Sequence, residues 1–426
     1  MAEQKLVVNI SLSGPGRDYD QAVEFLGRSF RIVRVGTGGS VKRAREELRK
    51  WSGEAAAIGI SGVHDAQVAG TLKGNPGKLR KAVNVATGET AGVFVTDGHR
   101  LRNVLQEWTI RHLAGEMPGY FNNARVVVLG GRNHYRSTRV LSESTQNLRF
   151  ADPAVEYGLD DIHTPFEVFE RVVSASGWMV ERIPSAVVSA ATAPSRKFIE
   201  SRVRKALQDC DVVVATFPEL AQFELDDLKG KTLISTSIGP ERLNSLRERG
   251  IDLVLDDVPQ PFDGVMVNEP TLEALMLVAG QAEESRLSDD DLLEMIQAAE
   301  LQPRILYPSG FKRKSRFAFV IHPLSQEYFR NVKALDAVAD VAPGIFMDGV
   351  EKLMAHSPPF VYSHVTGITS PTGAEAEGWL ITVGGTPKEL MAHDPEFTYS
   401  RLLAAADMAQ KLGAQIMGLG AFTKVV

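Results

Sequence analysis

Residues 124–137 read ARVVVLGGRNHYRS, and this stretch decides the fold class. Positions 126–129 are apolar with no polar alternation, the pattern of a strand covered on both faces. Gly130 and Gly131 punctuate the run. The following "HYRSTRVLSES" has the spacing of a helix. A buried strand, a glycine turn and a helix form the first part of a βα unit, and such units build parallel sheets.

The alternation extends in both directions. Towards the N-terminus, "KLVVNISLS", "FRIVRV", "AAAIGIS" and "AGVFVTDG" have the length and apolar content of strands. Between them, "DYDQAVEFLG" is expected as a short amphipathic helix and "SVKRAREELRKW" as a helix capped by Ser40. "HRLRNVLQEWTIRHLAGEMPG" carries apolar residues at helical spacing. Towards the C-terminus, "LRFADP", "CDVVVATFP", "GKTLISTSI" and "IDLVLDDV" are strands. "TPFEVFERVVSASG", "SRKFIESRVRKALQ", "PERLNSLRERG" and "SDDDLLEMIQAAE" are helices, the last capped by Ser288. The expected fold is α/β, with two Rossmann-like parallel-sheet lobes over 1–118 and 119–310 and a cleft between them. "LQPRILYPSGFKRKSR" reads as a linker. A smaller C-terminal α/β domain follows over 311–426: a strand "FAFVIHPL", short helices in "YFRNVKALDAVADVAPG" and "FMDGVEKLMAHS", two strands in "FVYSHVTGITSPTGAEAEGWLITVGG", a helix closed by Gly413 and an apolar strand "AQIMGLGAFTKVV".

Composition removes several function classes. The net charge of −6 comes without a basic stripe, which disfavours nucleic acid as the main partner. Cys210 is the single cysteine, so neither an internal disulfide nor a cysteine-based metal site is available, in keeping with a cytoplasmic location. The N-terminal residues enter a strand pattern directly, without the features of a signal peptide. No apolar run reaches the roughly 18–20 residues of a membrane span.

Candidate chemistry gathers at strand ends. Gly130 and Gly131, with Arg132, Asn133, His134 and Ser137, offer backbone amides and side-chain donors at a helix start, where phosphate groups bind. The same residues also read as a plain strand-to-helix turn. "RVGTGGS" at 34–40 offers a similar cradle or a similar turn. "SGVHD" and "TDGHR" bring His64, Asp65, Asp97 and His99 to the carboxyl ends of strands, the edge where open α/β sheets bind ligands. In the last domain, three polar or glycine-rich turns carry His322, then Thr366, Ser370, Thr372 and Gly373, then Gly418, Gly420 and Thr423. They are candidates for contact with a ligand or a neighbouring domain. Cys210 is expected as a buried, inert thiol.

"FAFVIHPLSQEYFRNV", "TGITSPTGAEAEGWLITV", "TPKELM" and "AQKLGAQIMGLGAFTKVV" resemble the N-terminal domain of predicted amino-acid dehydrogenases, a group similar to long-chain acyl-[acyl-carrier-protein] reductases. The first three hundred residues resemble proteins described as quinate or shikimate-type dehydrogenases, through "LVVNISL", "VFVTDG", "DLKGKTLISTSIGPERLNSLRERGIDLVLDDVP" and "NEPTLEALMLVAG". The resemblance implies part of an NAD(P)H-dependent oxidoreductase acting on an acyl thioester, an amino acid or a related carbonyl compound. It implies a cofactor domain or partner subunit beyond the last strand, with homo-oligomerisation also open. Catalytic residues are not assigned by it. The other reading is a non-catalytic module that binds a small anion or docks a partner domain.

Overall fold

The structure is a computed structural model that describes residues 4–89, 93–151, 166, 168–169, 196–223, 225, 227–280, 287–310, 314–321, 360–369, 375–383 and 395–420. It forms two compact units: Met1–Glu116, Val127–Leu141 and Arg149–Ser309 make the first, and Met117–Val126, Ser142–Leu148 and Gly310–Val426 the second. The chain is thus α/β, with two largely parallel sheets followed by a smaller third one.

The first sheet has the order β2-β3-β1-β4-β5, from β1 (Lys5–Ser11), β2 (Tyr19–Phe25), β3 (Arg28–Gly36), β4 (Ala57–Ser61) and β5 (Phe94–Thr96). All its pairings are parallel except β2 with β3. The helix expected over 18–27 is therefore a strand. Tyr19 and Val23 are half-buried and Phe25 buried, while Asp20, Gln21, Ala22 and Glu24 are exposed, which suits an edge strand. Leu26 and Gly27 both take positive φ, so the chain reverses into a tight hairpin.

Residue parity divides the core. Val7, Phe30, Ile32 and Ala57 face one layer, packed by α4 (His99–Glu116) and by a helix over Glu269–Ala279. Val8, Ile10, Val33, Ile58 and Ile60 face the other, packed by α1 (Val41–Trp51), α2 (Val63–Val68) and α3 (Pro76–Glu89). Side chains alternate across a strand, so neighbours serve opposite layers.

The second sheet has the order β11-β10-β9-β8-β6-β7. Its strands are β6 (Val126–Val128), β7 (Leu148–Phe150), β8 (Val212–Val214), β9 (Thr232–Ser235), β10 (Leu253–Asp256) and β11 (Arg304–Leu306). β11 runs antiparallel to β10 and lies in the stretch expected as a linker. The flanking helices are α5 (Tyr135–Ser142), α6 (Arg196–Asp209), α7 (Phe217–Ala221) and α8 (Pro240–Glu248). Val203, Ala206 and Leu207 of α6 pack on Val213, Leu233 and Val254. Cys210 joins that core as a buried thiol donating to the Leu207 carbonyl at 3.1 Å.

The helix Glu269–Ala279, α9, lies in sequence between β10 and β11 of the second sheet but packs on the first. It is apolar on nearly every side, and Leu272, Ala274, Leu275 and Met276 are fully buried. Its start lies so close to β4 that a Cβ on Gly59 would meet the Pro270 carbonyl oxygen at 2.8 Å. Asn9, buried in β1, donates to Asn268 Oδ1 at 2.7 Å and Thr271 Oγ1 at 2.8 Å, and accepts from Ser61 Oγ at 2.8 Å. A lone amide in an apolar sheet layer would be destabilising, and these partners remove the penalty. α10 (Asp289–Ala298) then begins at Ser288 with a capping box to Asp291.

In the second unit, the sheet order is β13-β14-β12-β15, from β12 (Lys314–Ile321), β13 (Phe360–Thr369), β14 (Glu375–Val383) and β15 (Ile416–Gly420). β13 and β14 pair antiparallel. β15 pairs parallel with β12, Phe317 opposite Ile416 through Ile321 opposite Gly420. Ala405 and Ala409 of α11 (Pro395–Lys411) pack on Ala318, Trp379 and Ile381. The helices expected within 326–357, the final residues 421–426, and most of the helix expected over 164–177 lie outside the described residues.

The α9 packing has a measurable consequence. Leu275→Ala is expected to lower the unfolding free energy by about 2–5 kcal/mol through lost burial and a residual cavity. Urea denaturation of the variant checks this, and a change under about 1 kcal/mol would contradict the packing described.

Candidate functional site

The carboxyl ends of the parallel strands in the first two sheets carry most of the polar chemistry of the first unit, and several of these loops touch. The loop after β6 holds Gly130, Gly131, Arg132 and Asn133, the loop after β4 leads into His64 and Asp65, and the turn after β8 holds Thr216 and leads into α7, which carries Glu219.

Glu219 is the centre of this contact. Thr216 and Glu219 cap α7 reciprocally: the Thr216 N–H donates to Glu219 Oε2 at 2.7 Å, and the Glu219 N–H donates to Thr216 Oγ1 at 3.4 Å. His64 Nε2, from the other sheet's loops, donates to Glu219 Oε1 at 2.7 Å. His134 Nε2 stands 3.5 Å from Oε2. Burial pushes the Glu219 carboxyl up, but the two imidazoles more than offset this and hold it well below the usual carboxylate range. An ionised Glu219 places the proton of His64 on Nε2. The terminal amide of Asn133 stands 2.9 Å from the same nitrogen, so the amide oxygen is the group that suits that position. The His64 side chain remains 34% exposed, while Glu219 is 7% exposed.

This explains Gly130 and changes the reading of its loop. A Cβ there would overlap the Glu219 carboxylate. The close approach that glycine permits is therefore used by an internal anion, at the place where a phosphate was expected to sit. Ser137 is fully buried and its hydroxyl has no hydrogen-bond partner among the described residues, while Arg132 is half-buried. Asn133 is the expected residue that meets the opposite sheet's loops. In the other glycine loop, the N–H groups of Thr37, Gly38 and Gly39 donate to the carbonyls of Ser11, Ser13 and Leu12, so they are engaged within the fold. Asp97 accepts from the His99 N–H at 3.1 Å and serves α4 as a start signal, with both residues exposed.

A second polar layer lies around α9. Glu269 accepts from Arg102 Nε and from Thr236 Oγ1, each at 3.0 Å. Glu273 accepts from Thr96 Oγ1 and from the Leu101 N–H, the latter at 2.8 Å, satisfying an orphan amide in the first turn of α4. Asp256 takes the N–H groups of Ser237 and Ile238 at 2.8 and 2.9 Å and pairs with Arg304. Burial pushes Asp256 up to about 6 against those donors. Burial and the neighbouring carboxylates of Glu269 and Asp256 push Asp257 well up.

Asp65 and Arg242 complete the edge. Burial raises the Asp65 carboxyl, while the charges of Arg242 and His64 pull it down. Burial lowers Arg242, and the charge of Arg17 lowers it further. Among the described residues, no group of His, Cys, Asp and Glu side chains is arranged to hold a metal ion. No described helix is long and apolar enough to cross a membrane. Of the candidates in the second unit, Thr366 lies on β13, while His322, Ser370, Thr372, Gly373 and Thr423 lie outside the described residues. Gly418 and Gly420 lie on β15, opposite Phe319 and Ile321 of β12.

Glu219, Arg242, Arg17 and the two α9 carboxylates were not among the residues expected from sequence. Only Glu219 has a local signal, the Thr-x-x-Glu spacing of a capping box at 216–219. The others come together through tertiary contacts.

Two family models match the chain, each described as a domain of unknown function: DUF8753 over residues 6–90 and DUF8754 over residues 100–308. No curated protein matches the sequence. Similar solved structures include AraP, an arabinose-binding protein from Geobacillus stearothermophilus, at 14% identity, covering 72% of this chain and 97% of that one with a TM-score of 0.35. The XylFII–LytSN complex is similar at 10% identity, covering 72% of this chain and 99% of that one, TM-score 0.31. A solute-binding protein of an ABC transporter from Bacillus halodurans C-125 with bound myo-inositol is similar at 10% identity, covering 72% and 96%, TM-score 0.27. The expected relationship is corrected: the family models that match are domains of unknown function, not acyl reductases or dehydrogenases. The NAD(P)H-dependent oxidoreductase activity inferred from that relationship is corrected with it. The physical reason at Gly130 agrees, since an ionised carboxylate repels a diphosphate.

Two variants test this site. Gly130→Ala is expected to destabilise the protein by overpacking against Glu219, by about 1–3 kcal/mol. In a Glu219→Ala background the penalty should largely vanish; equal penalties in both backgrounds in a double-mutant cycle would show that Glu219 is not the obstacle. Glu219→Gln is expected to lose on the order of 2 kcal/mol at neutral pH. The folded pKa of Glu219 lies below its ordinary value of 4.5, so its contribution is present above that value and is lost as pH falls through the folded pKa. The gap between wild type and Glu219→Gln should therefore narrow on acidification, as followed by urea midpoints.

Proposed function

We propose that the first compact unit is a small-molecule binding module, taking a polar ligand where the carboxyl edges of its two sheets meet. The observation that carries this reading is the His64–Glu219 contact. A partly exposed imidazole from the first sheet's loops is oriented by a buried carboxylate from the second sheet's loops. A ligand seated beside it would touch loops of both sheets, as the chemistry of open α/β sheets favours.

The groups at this edge suit hydrogen bonding more than apolar packing. His64, Asp65 and Asn133 offer donors and acceptors. Phe217, at the start of α7, adds an aromatic face next to the Arg242 guanidinium, 5.1 Å from its ring centre. A compact molecule with several hydroxyl or carboxyl groups fits such a mixture. A dinucleotide fits it poorly, because the glycine turn is occupied by Glu219.

The test is a thermal-shift screen of sugars, neutral polyols and small organic acids, followed by calorimetric titration of any hit. A true ligand at a hundredfold excess over its Kd should add about 2.7 kcal/mol to stability. Asp65→Asn or Asn133→Ala should weaken its binding roughly tenfold or more, the equivalent of one lost good polar contact. Failure of every compound class in the screen, or hits unaffected by both variants, would refute the reading.

A further inference from the structure

Arg17 and Arg242 come from connections of different sheets and approach the same helix start. Arg17 ends a short 3-10 turn, Pro15–Arg17, in the loop between β1 and β2. Its guanidinium lies over Gly239: a Cβ on that glycine would be 3.7 Å from Arg17 Nη2 and 3.8 Å from Cζ. Gly239 is the residue before α8, and Arg242 lies in the first turn of that helix. The two like charges are near enough for Arg17 to lower the pKa of Arg242.

Two of the nearby carboxylates are engaged elsewhere. Asp18 follows Arg17 directly, but its Oδ1 accepts from Arg34 Nη1 at 2.6 Å and from the Gly36 N–H at 2.7 Å. Asp256 is fully buried and held by Arg304 and two backbone amides at the start of the turn before α8. Asp65 acts on Arg242 through its charge, without a hydrogen bond or an ion pair. Among the described residues neither Arg17 nor Arg242 makes an ion pair. The charge of Arg17, over the residue before α8, opposes that of Arg242 in the first turn of the helix, and an oxyanion between them would convert that repulsion into charge-assisted hydrogen bonds. The first turn of α8 adds positive potential of the same sign.

We propose that Arg17 and Arg242 form an oxyanion-binding pair that bridges the two sheets and takes the carboxylate or phosphate group of the molecule bound there. This rests on the binding function proposed above and specifies its ligand as an acid. The oxyanion would be shared between the loop after β1 and the start of α8. The Arg242 guanidinium also lies over the Phe217 ring, 5.1 Å from its centre.

The experiment uses inorganic phosphate and succinate as probes, with sodium chloride at matched ionic strength as the control, since exposed charges are screened by salt. Thermal shift and calorimetric titration are run on wild type, Arg17→Gln, Arg242→Gln and Arg242→Lys. At least one probe should raise the Tm of the wild type beyond the chloride control, and which one does so separates phosphate from carboxylate recognition. Each Gln variant should weaken that probe roughly tenfold or more. Arg242→Lys should recover only part of the loss, because it keeps the charge and loses the planar fork. Neither guanidinium carries an ion pair, so the Gln variants should unfold in urea near the wild-type midpoint. No response to either probe beyond chloride, or unchanged binding in both Gln variants, would overturn the oxyanion pair. A neutral polyol that binds wild type and the Arg variants alike but not Asp65→Asn would overturn the pair while leaving the binding function standing. The absence of any ligand, neutral or acidic, would remove both.

Discussion

The burial of α9 against the first sheet is the constraint on which the first unit depends. Leu272, Leu275 and Met276 lose all contact with solvent there, and each fully buried side chain of this kind contributes about 1.5–3 kcal/mol. The helix brings two carboxylates with it. Glu269 and Glu273 would be strongly destabilising if left bare in this layer. Arg102, Thr236, Thr96 and the Leu101 N–H make them part of the joint. Because α9 lies in the chain between two strands of the second sheet, β10 and β11, and packs on the first, the same residues fix where the strand-end loops of the two sheets meet. A Cβ at Gly98 would meet the backbone nitrogen of Pro270 at 2.5 Å, so the start of α4 is also set by how closely α9 approaches.

Much of this was legible in the sequence because burial writes itself as periodicity. The apolar runs ending at Val128, Val214 and Ser235 all form strands of one sheet, and Ser288 caps its helix as its hydroxyl predicts. The errors have physical causes. Residues 19–25 carry acids and apolar residues in proportions that suit either a helix or an edge strand, and the positive φ of Leu26, which has no strong local signal, decides for the hairpin. β11 is three residues long and was hidden by the prolines and basic residues around it. "NEPTLEALMLVAG" is apolar on nearly every side apart from Glu269 and Glu273, which are themselves buried, so periodicity does not reveal which surface it covers.

The candidate site was less legible for a different reason. Gly130 and Gly131 lie between a strand and a helix, but a glycine pair says only that something comes close. The neighbour is the Glu219 carboxylate, 89 positions further on. Likewise Asp18 beside Arg17 suggests a local pair, and only the tertiary structure assigns Asp18 to Arg34 and to the Gly36 N–H. Local sequence lists the charged groups; the partners follow from topology.

The polar edge has a division of charge that follows from these assignments. Carboxylates with firm partners, such as Glu219, Asp256, Glu269 and Glu273, are buried and hold loops to each other or to helix starts. Groups with looser engagement, Asp65, Arg17 and Arg242, lie nearer solvent. Burial of the first set lowers the effective dielectric around the second, which strengthens any interaction made there. If the proposed binding function holds, firmly partnered charge behind and less engaged charge in front would keep those side chains in place before a ligand arrives and reduce the ordering that binding requires. Glu219 shows the principle in one residue: it caps its own helix, fills the space left by Gly130, and orients the imidazole that faces the solvent.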